Sequence, residues 1–460
     1  MKVLFVQPRT NPHVWGGDAI FVIEPLWAEY LGAGVKSRHD TRLLDMRLEE
    51  VSFEATLRDF RPDIVAMTAY TVDVNTIKDL AKRARDFDPS IRVVLGGYFA
   101  NKNADQLLAA GIDVVVPGEG VNTFRELIDT WQDRGRQADL RNIAGLAFPV
   151  DRQVHATPVR TWPSLDSYPF PDRRLSAHIR GRYFDRWMKP VASLMSSYSC
   201  PFRCEFCCLW PTTAGKYLSR SPESLLAEIA TIEEDYVWFT DDEAFIDGPR
   251  MESLARLLEA NGIRKQYFFM TRSDSIRRNS HRFELWARAG LKRVMVGFES
   301  IRGQDLLTFN KEATVSDNDE AIAILQHNGL DINSNFVLTQ DYQPVDFANL
   351  QRYVEAKDLS FPLYFILTPF PGTVLYERVR KDIFLHNYDF YDLLHTVLPT
   401  AMPLRDFYAC FSRLYGAVEP LRRGILEYGE ALDKVVVRNV RKVLESMRQT
   451  QPSSPLLPRL

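Results

Sequence analysis

The chain has 460 residues, a formal net charge of −3, 45% hydrophobic and 25% charged residues. That length allows two or three domains. The near-neutral charge gives no basic field for nucleic acid, and no apolar run approaches the roughly 18 residues that suggest a membrane span. Five cysteines are too few and too odd for a disulfide framework. Met1–Pro8 reads as a first buried strand and not as a signal peptide, so a cytoplasmic protein without integral membrane contact is expected.

Residues 1–135 alternate short apolar runs with helical spans. Val3–Val6, Thr41–Leu44, Ile64–Thr68, Arg92–Leu95 and Val114–Val116 read as strands. Glu24–Ala33, Phe53–Phe60, Val74–Phe87, Ala104–Ala110 and Thr123–Trp131 read as helices. Strands separated by helices predict a doubly wound parallel sheet. Its ligand belongs beyond the carboxyl ends of the strands. Those ends are Thr68 with Tyr70, Thr71 and Val72, then Gly96, Gly97 and Tyr98, then Gly118, Glu119 and Gly120. No G-x-G-x-x-G follows the first strand and no P-loop lysine is present, which argues against the common nucleotide sites.

Ile143–Phe148 reads as a strand, and the prolines from Pro158 to Pro171 mark an extended linker. Domain boundaries are expected at 1–140, 141–190 and 191–375. From 191, strands Val191–Met195, Tyr236–Thr240, Tyr267–Thr271, Arg293–Phe298, Asn333–Leu338 and Tyr364–Leu367 alternate with helices Pro222–Glu234, Arg250–Ala260, Arg282–Ala289, Asp317–His327 and Asp346–Lys357. Six such units predict a partial (β/α)6 barrel whose site lies at the C-terminal strand ends.

The loop after the first barrel strand holds Cys200, Cys204 and Cys207 as C-x3-C-x2-C, followed by Cys208. A loop can converge three thiolates where a helix or strand of seven residues cannot. A structural zinc site wants four ligands, so zinc would need a distant fourth. An iron–sulfur cube held by three cysteines keeps one iron open to a small molecule.

With Phe206 before the third cysteine, the motif resembles the radical S-adenosylmethionine (SAM) superfamily signature C-x3-C-x-aromatic-C. The upstream Leu95-Gly96-Gly97, Asp113, Gly118-Glu119-Gly120 and Thr123-Phe124 resemble the cobalamin-binding domain that precedes one large branch of that superfamily. D-x-H-x-x-G, which supplies a cobalt-ligating histidine in many such domains, is missing. The resemblance implies a 4Fe–4S cluster on the three cysteines, SAM, and cobalamin.

On the barrel rim the SAM amine wants acceptors, for which Asp241, Asp242 or Glu243 are placed. The carboxylate wants a fork donor such as Arg272 beside Ser273. The ribose wants Glu299, the adenine wants Phe206 and the sixth-strand loop at Pro369, and Gln340 ends the fifth strand. Thr68, Tyr70, Thr71, Val72, Gly96, Gly97, Tyr98, Gly118, Glu119 and Gly120 are expected at cobalamin.

Residues 376–448 read as helical and aromatic-rich, either a packing domain or a substrate wall. Motifs such as Asp389–His395 resemble a branch that includes hopanoid C-3 methylases. The tail 449–460 reads as disordered.

The implied activity is methylation of an unactivated carbon in a small-molecule or lipid-like substrate, fed by an external one-electron reductant of flavodoxin or ferredoxin type. Two other readings stand beside it. One keeps both cofactors but ends in cyclisation, oxygen insertion or rearrangement. The other is a corrinoid-binding sensor without turnover.

Overall fold

A computed structural model describes residues 1–9, 21–151, 153–185, 188–359 and 361–416. The expected basic helix 434–448 and the tail 449–460 lie outside the described residues.

In the first domain β1 (Lys2–Gln7), β2 (Asp40–Asp45), β3 (Ile64–Thr68), β4 (Arg92–Gly96) and β5 (Val114–Val115) alternate with five helices. These are α1 (Leu26–Val35), α2 (Phe53–Phe60), α3 (Val74–Phe87), α4 (Ala100–Ala109) and α5 (Val121–Arg134). The strands pair in parallel in the order β2-β1-β3-β4-β5. Alternate strand residues face opposite layers. Leu4, Val6, Val65 and Leu95 pack with Leu57, Ile77 and Leu80 on one side. Val3, Phe5, Ala66 and Val94 pack with Ala28, Phe124 and Leu127 on the other. Burial on both faces is why these strands read as unbroken apolar runs.

The sheet does not stop at residue 140. β6 (Ala147–Val150) and β7 (Gln153–Ala156) form an antiparallel hairpin that joins β5 through Val115 and Ala147. The strand expected over 143–148 therefore lies later. Ile143 is apolar because it plugs the core beside α5, not because it pairs.

The second sheet follows chain order. β8 (Val191–Leu194), β9 (Tyr236–Phe239), β10 (Gln266–Arg272), β11 (Leu291–Glu299), β12 (Asp331–Leu338) and β13 (Phe361–Ile366) are parallel neighbours in that sequence. The crossovers are α6 (Pro222–Ile229), α7 (Gly248–Ala260), α8 (Ser273–Arg278) with α9 (Ser280–Ala289), α10 (Gly303–Thr308) with α11 (Val315–His327), and α12 (Pro344–Ala356). Ser221 caps α6 by accepting from Ser224 N at 3.2 Å. Aromatic rings fill the layer between the strands and the helices, with Phe239 and Trp286 each meeting Phe269 edge-on at 4.6 Å.

Beyond the barrel, α13 (Val374–Val379) and α14 (Leu404–Gly416) meet the helical expectation. The stretch between them is mostly loop, with one 3-10 turn at Tyr388–Phe390. It straps the barrel to the first domain. Asn75 Nδ2 donates to Asn387 Oδ1 at 2.7 Å, and Tyr388 donates to Gln106 Oε1 at 3.0 Å. Val72, in the loop after β3, packs into its apolar cluster with Phe390 and Tyr391.

Buried charge makes a second joint. Arg173 of the linker donates to Glu24 at 2.6 Å and to Glu228 at 2.8 Å. Arg180 pairs with Glu234 at 2.5 Å and also with Glu24, and Arg220 pairs with Glu228. Glu29 lies wholly buried 3.8 Å from Arg173. Four carboxylates thus meet three guanidiniums. Burial and then the charge of Glu24 raise the Glu29 pKa from its ordinary 4.5 to about 8, which balances the site with a proton. The folded state holds that proton where the unfolded chain has lost it. The stabilisation is therefore complete below pH 4.5 and is lost as pH rises through about 8. Glu29→Gln is expected to flatten the dependence of Tm on pH across that window. An unchanged slope in the variant would contradict the assignment.

Candidate functional site

The cysteine loop leaves β8 at the carboxyl end of the barrel strands. Cys204 is buried, while Cys200, Cys207 and Cys208 are half-buried. Backbone bonds clamp the loop from both sides, with Glu205 N donating to Phe309 O at 3.0 Å and Leu375 N donating to Glu205 O at 2.9 Å. Burial pushes the Cys200 thiol up to about 12 and the Cys207 thiol well above its ordinary range. Thiolates here need a strongly cationic partner. Among the described residues no three His, Cys, Asp or Glu side chains close on a single-ion position. A multi-iron group that spans Cys200, Cys204 and Cys207 suits this all-sulfur donor set.

Cys208 stands next to the trio, half-buried, and its thiol is pushed up to about 11, by burial first and Asp242 second.

The acidic trio after β9 separates in three dimensions. Asp241 accepts from Ser196 N at 2.7 Å and Ser197 N at 2.8 Å, and also from the Ser196 hydroxyl. Glu243 accepts from Thr271 Oγ1 at 2.6 Å, Arg272 N at 2.7 Å and Phe245 N at 3.0 Å. Both carboxylates are fully buried and tie β8, β9 and β10 together. Asp242 is half-buried and takes a backbone bond from Ser199. Burial, with Asp241 beside it, raises its pKa to about 7. Of the three, Asp242 keeps acceptor capacity for a ligand.

Arg272 is largely engaged. Its Nε donates to Asp274 at 2.8 Å, one Nη lies 3.6 Å from Cys204 Sγ, the other donates to Lys311 O, and its plane stacks on Phe202 at 3.6 Å. It sets a fixed positive charge against a cysteine of the trio. Ser273 beside it is buried, and its hydroxyl has no partner among the described residues, a donor left for a ligand.

Glu299 ends β11 with φ +61 and accepts from Lys311 Nζ at 2.7 Å. Lys311 is 4% exposed and stands between two left-handed residues, Asn310 and Glu312. Nothing in the sequence reading marked Lys311. Its one signal is a lysine in a short turn just after Phe309. An ammonium with three donors spends one on Glu299, so the pair offers both a donor and an acceptor.

A Cβ on Gly297 would lie 2.4 Å from Glu299 Oε1 and 3.1 Å from Lys311 Nζ. Gly297→Ala is therefore expected to displace this pair. It should raise the KM for SAM about tenfold, the effect of roughly 1.4 kcal/mol, with iron content unchanged. Equal KM values would remove the pair from the site.

Phe206 meets Phe309 edge-on at 5.4 Å within an apolar group that includes Val337 and Leu367. Pro369 lies in the loop after β13, near that wall. Gln340 donates to Leu367 O at 2.8 Å and Thr396 Oγ1 at 3.3 Å, so it braces the C-terminal strap.

In the first domain, Gly97 has φ +97, and a Cβ there would lie 2.4 Å from Thr68 Oγ1. The turn after β4 needs glycine to pack on Thr68. Gly96 sits against Val116 O, while Gly118 is open around its Cα. Glu119 turns inward. It accepts from Asn122 N at 2.9 Å, Thr123 N at 3.1 Å and Tyr168 OH at 2.7 Å, capping α5 from Gly120 onward and fastening the linker. Thr71 is buried and Val72 faces the strap.

Tyr70 and Tyr98 lie 5.7 Å apart and close toward the barrel. Tyr70 is 55% exposed although burial raises its hydroxyl to about 12. Just beyond Tyr98, Asn101 Nδ2 donates to Thr212 Oγ1 of the segment after the cysteine loop at 3.2 Å. The ligand ends of the two sheets therefore face one another.

The family model of the B12 binding domain matches residues 12–128, and that of the Radical SAM superfamily matches residues 194–353. The chain belongs to the radical SAM enzymes that carry a B12-binding domain. The hopanoid C-3 methylase of Methylococcus capsulatus is 30% identical over 419 residues, which are 89% of this chain and 78% of that protein. The anaerobic magnesium-protoporphyrin IX monomethyl ester cyclase of Cereibacter sphaeroides is 27% identical, over 86% of this chain and 67% of that protein. Within the family this chain is a cobalamin-dependent radical SAM methyltransferase, with a 4Fe–4S cluster, SAM and cobalamin as cofactors.

The fold is shared with two solved structures. The radical SAM methyltransferase TsrM from Kitasatospora setae has a TM-score of 0.70 at 16% identity, covering 97% of each chain. The cobalamin-dependent radical SAM enzyme OxsB has a TM-score of 0.71 at 15% identity, covering 97% of this chain and 71% of OxsB.

Proposed function

We propose that this chain methylates an unactivated carbon of a small-molecule or lipid-like substrate held between its two domains. One observation carries the reading. Tyr70 and Tyr98 stand beyond the carboxyl ends of β3 and β4, and that end of the sheet meets the segment after the cysteine loop where Asn101 Nδ2 donates to Thr212 Oγ1 at 3.2 Å. A substrate held at that seam would meet both cofactors. Aromatic walls favour a flat or greasy molecule.

When bound, the cofactors supply the radical and methyl-transfer chemistry. The chain supplies position and exclusion of water. Cys200, Cys204 and Cys207 would hold the cluster through their three thiolates. Arg272 balances negative charge at Cys204. Asp242 accepts from the SAM amine, Ser273 and Lys311 donate to its polar groups, and Glu299 accepts from the ribose. Phe206 and Pro369 border the adenine. Thr68, Gly96, Gly97, Tyr98, Gly118 and the 70–72 loop cradle cobalamin, with Glu119 and Gly120 fixing the helix behind it. The units are a B12-binding domain to residue 156, a linker to 190, a barrel to 375 and a C-terminal region beyond. No helix among the described residues is long and apolar enough to cross a membrane. A cytoplasmic setting with an external one-electron reductant suits the cluster.

The test is anaerobic reconstitution with iron, sulfide and hydroxocobalamin, followed by SAM, reductant and a panel of polycyclic substrates. A product heavier by one CH2 is expected. A product that has closed a ring or gained oxygen would replace methylation with the cyclase-type outcome. Absence of 5′-deoxyadenosine would sink both.

A further inference from the structure

The stretch Asp389–His395 has no part in the site described above, yet it lies between the two cofactor ends. Asp392 and His395 are 6% and 4% exposed. One Asp392 oxygen accepts from Leu394 N at 3.0 Å and His395 N at 2.8 Å, and the other accepts from His395 Nδ1 at 2.8 Å. Burial alone would disfavour an imidazolium there, but the charge and hydrogen bond of Asp392 outweigh it and raise the His395 pKa above its ordinary 6.5. The turn closed by this pair holds Leu393 at φ +67, a left-handed conformation that a bulky side chain rarely adopts. Strain of this kind persists only where the surroundings over-determine it, and it gathers at ligand clamps and switches.

Two lines of contact leave the turn. Toward the barrel, Leu393 O accepts from Ile366 N at 2.7 Å, at the carboxyl end of β13. The next residue, Leu367, packs with Phe206 and Val337 in the apolar wall placed at adenine. Gln340 donates to Leu367 O at 2.8 Å and to Thr396 Oγ1 at 3.3 Å, so it ties the same wall to the residue after His395. Toward the first domain, the His395 ring meets Phe390 edge-on at 5.1 Å. Phe390 clusters with Val72 of the loop after β3. Tyr388, in the same 3-10 turn as Phe390, meets Phe99 edge-on at 5.2 Å, and Phe99 directly follows Tyr98.

We infer that Asp392 and His395 are positioning residues, which fix the strap in one arrangement and so couple the binding of SAM to that of cobalamin. This rests on the placement of the two cofactors proposed above. The pair acts through the strap and not on either cofactor. A ligand that settles the Val72 loop or the Leu367 wall settles the strap with it. The second ligand then meets a surface already ordered and loses less freedom on binding. The effect is reciprocal, because two ligands on one protein change each other's affinity by the same factor.

The test uses the full chain with its cluster reconstituted, kept oxidised and without substrate, so that SAM is not consumed. Kd values are measured for SAM with and without saturating hydroxocobalamin, and for hydroxocobalamin with and without SAM. Wild type should bind each about fivefold or more tightly in the presence of the other. His395→Leu removes the donor to Asp392. Both ratios should then fall to about one, with the affinity for SAM alone unchanged. His395→Asn, whose amide can donate to Asp392 from the place of Nδ1, should restore most of the factor. Leu393→Gly relaxes the left-handed turn and leaves the pair intact, and it should lower the factor as well. Glycine is at home at that φ, so this variant guards against a folding defect in the first. A ratio of about one in wild type, or the wild-type ratio kept in both His395→Leu and Leu393→Gly, would overturn the inference. An equal loss of affinity for each cofactor alone in His395→Leu, with the ratio kept, would reduce the pair to a merely structural role and overturn it too. Failure of wild type to bind SAM or hydroxocobalamin at all would instead strike at the cofactor placement.

Discussion

Cys204→Ala is expected to abolish 5′-deoxyadenosine formation, well beyond the ~10–100-fold cost of losing an outer partner of a metal site. Cys204 is the buried member of the trio, and the Arg272 guanidinium lies 3.6 Å from its sulfur. Removing that sulfur takes away a ligand and leaves a fixed positive charge beside an empty corner. Iron content after reconstitution should fall together with SAM cleavage. Cys208→Ala provides the contrast. Cys208 stands outside the C-x3-C-x2-C spacing, so iron content should stay at the wild-type level. Iron lost equally in both variants would move the third ligand from Cys207 to Cys208. SAM cleavage retained in Cys204→Ala would end the cluster assignment altogether.

The second large effect is on stability. Arg173→Ala should cost about 3–5 kcal/mol, the range for breaking a buried pair by removing one partner. Arg173 bridges Glu24 and Glu228, both nearly inaccessible to solvent, and its loss leaves the buried acids of the joint with only Arg180 and Arg220 as counter-charges. Chemical denaturation of the apoprotein would measure it. Arg173→Lys should recover only part, because one ammonium cannot reproduce a fork that reaches Glu24, Glu228 and the Ser193 carbonyl at once. A change below about 1 kcal/mol in Arg173→Ala, the value of a surface pair, would mean the site is solvated.

Much of the architecture is legible because local signals and global packing agree. Phe53–Phe60 and Val74–Phe87 have the bounds read from sequence, since each carries its apolar stripe to its ends and α2 begins at Ser52, which accepts from Ala55 N at 3.2 Å. The barrel strands are legible for the same reason. What sequence cannot show is which way a side chain turns at a strand end. Asp241, Asp242 and Glu243 are chemically alike and adjacent. Ser196, just after β8, and Thr271 of β10 claim the outer two from either side. Glu119 looked like a ligand group in a glycine loop, yet its place just before α5 is also that of a helix-capping acid, and this is the role its hydrogen bonds serve. Lys311 was invisible because its partner Glu299 is 12 residues away across a turn. No periodicity encodes that contact.

The strap and the charged joint bear on how such enzymes are recombined. A B12-binding domain grafted from a relative would arrive with its own residues in place of Val72, Glu24 and Glu29. The host would still present Phe390, Tyr391, Arg173 and Arg180 to receive them. The natural unit of exchange is therefore not the sheet alone. A working chimera must carry two separated stretches of chain, around residues 173–180 and 383–398, along with the domain they fasten.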